Sequence, residues 1–110
     1  MAKVFLAEPN DRYSLDAAAL FGTVQYVVAE GLRPFKTPQA MRSLITGLER
    51  AGYDPEEDFL CMTGHALAVT LLVAAATQRF PKVKLLLFDA ASSEYKERVL
   101  ENSVLINGSL

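Results

Sequence analysis

The sequence predicts an α/β domain: a small mixed sheet of four to five strands, two main helices and one short helix. Three observations carry this. Residues 58–89 read as a short apolar run, a Thr-Gly-His turn, a long apolar helix and a second apolar run, the pattern of a βαβ unit whose strands lie parallel. Thr37-Pro38 followed by Met41, Leu44, Ile45 and Leu48 marks a second helix with one apolar face. Residues 3–7 and 23–28 are short β-branched and aromatic runs bounded by turn residues.

Taken in order, residues 3–7 (KVFLA) form the first strand, closed by Pro9-Asn10-Asp11. Ser14 is positioned to cap a helix of about two turns over residues 15–21, with Asp16 in its first turn and Gly22 as its stop. Residues 23–28 make the second strand, and 29–36 a loop holding Gly31 and Pro34. The helix from Thr37 ends before Gly52, and a Tyr-Asp-Pro turn leads to a third strand at 59–62. The helix over Ala66–Arg79 is apolar almost all round, so it needs cover beyond one small sheet: neighbouring helices or a second subunit. A homodimer is expected on that ground, and Ala74, Ala75 and Ala76 would permit close approach. Residues 83–88 form the fourth strand, and 94–101 either a fifth strand in a hairpin with it or a short helix. Residues 102–110 read as a loosely attached tail of a single domain spanning 1–110.

Composition narrows the function classes. The apolar share of 51% supports a real core, and a net charge of −2 argues against general nucleic-acid binding. The acidic run Asp54, Glu56, Glu57, Asp58 and the cations Arg79, Lys82, Lys84, Lys96 and Arg98 are expected as solvated surface. The lone Cys61 permits no internal disulfide and fits a buried thiol in a reducing compartment. Residues 1–8 have no secretory pattern, and the apolar stretch 66–76 falls short of the ~20 residues of a membrane span. A cytoplasmic protein is expected, with no membrane association.

Candidate chemistry centres on the only histidine. His65 follows Gly64 at a helix start, where free backbone N–H groups and the helix dipole favour an anion. Thr63, Gly64, His65 and Asp89 are the candidate ligand-binding residues, placed at the carboxyl ends of the third and fourth strands, where open α/β sheets bind ligands. His65 is the candidate general acid or base. Phosphate-loop glycine patterns and a nucleophile elbow are absent, Cys61 is not expected to touch His65, and neither a metal set nor a cofactor motif is present. Arg33, Phe35 and Lys36 form a cationic and aromatic loop suited to an interface.

Two resemblances follow. The run DPEEDFLCMTGHALAVTLLVAAATQRFPKVKLLLFDAASSEYKER is similar to small uncharacterised proteins of tailed phages. Those combine an acidic turn, an apolar strand ending in Gly, an apolar helix, a V-x-L-L-x-aromatic strand and a Tyr beyond the next turn. Lys3-Val4-Phe5-Leu6 and Gly64-His65 resemble the viral anti-CRISPR ring nucleases, dimers that degrade cyclic tetra-adenylate. That resemblance implies a catalytic role for His65 and an Arg-x-x-Glu pair at Arg98 and Glu101, although Ala66-Leu67-Ala68 stand where that family has small polar residues. The expected function is a small phage-type accessory protein that binds a host protein. The alternative is binding or cleavage of a phosphorylated nucleotide second messenger at Gly64-His65.

Overall fold

A computed structural model of the chain describes residues 1–9 and 14–101. They form one five-stranded mixed sheet with two α-helices. The strands are β1 (Lys3–Leu6), β2 (Thr23–Tyr26), β3 (Phe59–Cys61), β4 (Lys82–Asp89) and β5 (Glu94–Glu101), in spatial order β2-β1-β3-β4-β5. The helices are α1 (Thr37–Arg50), between β2 and β3, and α2 (Ala66–Arg79), between β3 and β4. Pairing is parallel for β1 with β2, β1 with β3 and β3 with β4, where the sequence led us to expect one parallel pair. β5 pairs antiparallel with β4 from Lys82↔Glu101 to Asp89↔Glu94, which decides between strand and helix for that segment. The tail expected at 102–110 lies outside the described residues.

The central strands explain the sheet. Val4, Phe5 and Leu6 of β1 are fully buried because both faces of that strand are covered. Phe5 and Leu60 face the two helices, packing with Leu44, Ala68 and Leu72. Val4, Leu6, Phe59, Cys61 and Leu86 face the other way, under Leu15, Ala17, Ala18 and Phe21. That second layer is thin. The two-turn helix expected over 15–21 is a single 3-10 turn, Ala18–Leu20, without a side-chain cap. Ser14 instead accepts a 3.4 Å hydrogen bond from the Asp16 N–H, closing a local turn.

α1 opens at Thr37-Pro38, but Thr37 does not cap it; its hydroxyl donates to the Pro34 carbonyl at 3.2 Å. α1 packs against α2, so the apolar surplus of α2 is covered within the chain: Leu71, Leu72, Ala75 and Ala76 are buried, and no large apolar residue of α2 is exposed. Gly47 lets α1 sit against the chain beyond β2, since a Cβ there would lie 2.5 Å from the Val27 carbonyl oxygen. β1–β2 pairing continues past the strands, with the Val27 and Val28 N–H groups donating to the Leu6 and Ala7 carbonyls.

One member of the acidic run is not surface. Asp58 is 1% exposed; its Oδ1 accepts from the Lys3 N–H and its Oδ2 from the Asp54 N–H, both at 2.9 Å. It ties the start of β1 to the turn before β3. Its burial is offset because both carboxylate oxygens are hydrogen-bonded.

Candidate functional site

The order β2-β1-β3-β4 reverses direction between β1 and β3: the chain steps one way from β1 to β2 and the other way from β3 to β4. In open α/β sheets the loops diverge at such a point and leave a crevice at the carboxyl ends of the strands. A cavity of about 510 Å³ lies there. Met62, Thr63 and Gly64, the residues leaving β3, form one wall. Phe88, Ser93 and Tyr95 of the β4–β5 hairpin form a second, and Ser14, Asp16 and Ala17, after β1, a third.

Alternation along β5 places Tyr95 on the face of the sheet opposite the helices, where it is buried beside Leu86. Its hydroxyl is 2.6 Å from the Thr63 hydroxyl. Burial pushes the Tyr95 phenol up, against the opposing pull of that hydrogen bond. The Phe88 ring meets the Tyr95 ring edge to face at 5.3 Å. Ser93 holds the left-handed conformation (φ 58°), and Asp89 Oδ1 accepts from the Ala91 N–H at 3.0 Å, so the hairpin turn is locally braced. Cys61, fully buried, packs in the same cluster as Tyr95, and burial pushes its thiol up despite hydrogen bonds with Thr63 and Tyr95. A buried thiol held in its neutral form is a poor nucleophile.

The sequence-chosen residues divide. Thr63 and Gly64 line the cavity. His65 does not: it is the N-cap of α2, and its Nδ1 accepts from the Leu67 N–H at 3.2 Å. That bond uses one of the backbone donors that made the helix start attractive for an anion. The ring meets Phe35 edge to face at 5.9 Å. Asp89 also stands outside the cavity wall. It pairs with Lys96 at 3.0 Å, and that cation, with the Ala91 N–H, holds its carboxyl below the ordinary range. Arg33, Phe35 and Lys36 are exposed, and the Phe35–His65 contact brings their loop to the α2 start, beside Gly64. Arg98 and Glu101 lie three apart on a strand, so they project to opposite faces and make no pair.

Several cavity residues escape a sequence reading. Ser14 and Asp16 read as parts of a helix, and Phe88 and Tyr95 as ordinary alternating strand positions. Only the register Phe88↔Tyr95 and the parallel pairing of β3 with β4 bring them to Thr63. Among the described lining residues there is no Lys, Arg or His, and the one acidic residue is Asp16. Among the described residues no three His, Cys, Asp or Glu side chains are grouped to hold a metal ion, and no helix is long and apolar enough to cross a membrane.

The exposed aromatic residues share one end of the sheet. Among the described residues, those with exposed rings are Tyr26, Phe35 and Phe88. Tyr26 ends β2, Phe88 is the penultimate residue of β4, and Phe35 lies against His65 at the start of α2. All three stand at the carboxyl end of the parallel strands.

The molecule is thus a small open-sheet α/β domain with an apolar cavity and exposed aromatic rings at its switch-point end. Its family is a phage one: residues 4–102 match the phage Pam3 gp32-like proteins, and the chain belongs to that family. No match was found among curated proteins or among solved structures. The likeness to ring nucleases has no support in the site, where His65 serves as a helix cap and Arg98 and Glu101 diverge.

Proposed function

We propose that this phage protein acts by binding a host protein, and that the partner docks on the carboxyl end of the parallel strands. The observation that carries this is the gathering of Tyr26, Phe35 and Phe88 at that one end, Phe35 being 85% and Phe88 51% exposed. Exposed aromatic rings beside a preformed cavity are the usual anchors of an interface. Arg33 and Lys36 flank Phe35 and supply charge at the rim, where it steers association. Catalysis has little to work with: the Cys61 thiol is buried and neutral, and the His65 ring is engaged in capping. A phosphorylated nucleotide is disfavoured by a cavity whose described lining holds an aspartate and no Lys, Arg or His.

The test begins with capture from a host lysate, followed by direct binding of the purified partner to wild type, Phe35→Ser, Phe88→Ser and Val99→Ser. Val99 is exposed on β5 opposite Lys84, toward the other end of the sheet, and serves as the control. Binding weakened about tenfold or more by either phenylalanine change, and unmoved by Val99→Ser, supports the proposal. Binding insensitive to both phenylalanine changes overturns it. A homodimer belongs to the same proposal. α1 already covers much of α2, so a dimer would have to use this end or the half-buried row Val69 and Val73.

A further inference from the structure

We infer that the switch-point cavity is built to receive a cationic side chain of the partner, an arginine, with its stem against the aromatic wall and its guanidinium at Asp16. This rests on the docking surface proposed above and adds the chemistry of the anchor.

The first observation is charge. Asp16 brings a carboxylate to the cavity wall, and no Lys, Arg or His is among the described lining residues. Two lysines of the β4–β5 hairpin are committed elsewhere. Lys96 pairs with Asp89 at 3.0 Å, and the Lys84 ammonium lies over the Phe59 ring at 4.5 Å. Asp16 forms no ion pair among the described residues. An occupant with a negative group would meet a like charge, whereas a positive one would meet its complement.

The second observation is the wall. Phe88 and Tyr95, edge to face at 5.3 Å, offer aromatic surface, which suits the face of a cation as well as an aliphatic stem. The third is the hydrogen-bonding balance. Ser14, Ser93 and Thr63 carry hydroxyls that can accept, and the Asp16 carboxylate accepts only. A guanidinium is its converse: five donors in a plane, no acceptor, and weak hydration. Lysine would satisfy the charge but offers a strongly hydrated point, and leucine would leave the carboxylate facing an apolar group.

The experiment uses the whole chain and four probes, acetyl-Gly-X-Gly-amide with X being Arg, Lys, Leu or Glu, titrated into the millimolar range. Amide shifts of Thr63, Gly64 and Ser93 are followed by NMR. The expected result is saturable movement of those amides by the arginine probe, at least about fivefold tighter than by the leucine probe, with none by the glutamate probe. Asp16→Asn, an exposed change that should leave the melting temperature alone, should abolish that preference. A leucine probe that binds as well as the arginine probe overturns the inference, as does a response to the glutamate probe or no response at all. The two readings also separate in the partner assay. If capture depends on Phe35 and Phe88 but is indifferent to Asp16→Asn, the docking surface stands and the arginine anchor falls.

Discussion

Replacing Asp58 by alanine removes the carboxylate that accepts the Lys3 and Asp54 backbone N–H groups, each at 2.9 Å. The residue is 1% exposed, so water does not replace it freely. Hydrogen bonds to an ionised acceptor contribute about 1.5–3 kcal/mol each, and the orphaned donors bear a desolvation cost, so a loss of about 3–5 kcal/mol is expected. The Lys3 ammonium, 4.0 Å from Oδ2, is less affected because it also donates to the Ala51 carbonyl at 2.9 Å. Against a total stability of about 5–15 kcal/mol for a domain of this kind, the loss is a large fraction. In urea unfolding followed by circular dichroism it should lower the midpoint by about 2 M with little change in slope. Asp58→Asn keeps one acceptor but turns an NH2 group toward the second donor, and should fall in between. Glu56→Ala is the control: its ion pair with Lys82, at 3.5 Å, is exposed, and the change should stay within about 0.5 kcal/mol. A midpoint for Asp58→Ala within about 0.3 M of wild type would refute the assignment of Asp58 as a structural tie.

Other expectations concern the core. Leu71→Asp places an unpaired charge at a buried position of α2 and should abolish the cooperative thermal transition; a melt matching that of Glu56→Ala would show that the core lies elsewhere. Gly47→Ala gains helix propensity but sets a Cβ 2.5 Å from the Val27 carbonyl, so the melting temperature should drop rather than rise. Tyr53 is buried with a hydroxyl that has no hydrogen-bond partner among the described residues, and burial, aided by Asp58, raises its phenol pKa; Tyr53→Phe should therefore be neutral or stabilising by up to about 1 kcal/mol. Cys61 should resist a neutral-pH thiol reagent in the native state and react fully in denaturant; rapid native labelling would contradict its burial and raised pKa.

How much of this could be read from the sequence follows from how local each signal is. α2 was legible because Gly64-His65 and Phe80-Pro81 bound a run that is apolar almost throughout. α1 was legible from Thr37-Pro38 and its apolar spacing, though the role of the Thr37 hydroxyl was not, since it donates backward to Pro34 instead of capping. Asp58 hid in an acidic run because its partner, the Lys3 amide, lies 55 positions away. The 15–21 segment has helix-forming residues, yet it must cross one thin face of the sheet and makes a single 3-10 turn. The cavity was half legible: Thr63 and Gly64 follow from the strand-to-helix turn, whereas Tyr95 reaches Thr63 across 32 positions through the antiparallel register of β5. His65 could be placed at the helix start from the sequence, and the structure gives it a cap's hydrogen bond there, since a helix start needs a cap as much as it offers a site.

Recognition is proposed to run through the aromatic end of the sheet, with His65 as a cap and not a reactive group. Titration calorimetry of the captured partner into wild type, Phe88→Ser and His65→Ala tests it most directly, with cyclic and linear nucleotides as a parallel series. The expected result is affinity reduced about tenfold or more by Phe88→Ser, little changed by His65→Ala, and no heat from any nucleotide. Nucleotide binding by the wild type that vanishes in His65→Ala, with partner affinity untouched by Phe88→Ser, would contradict it.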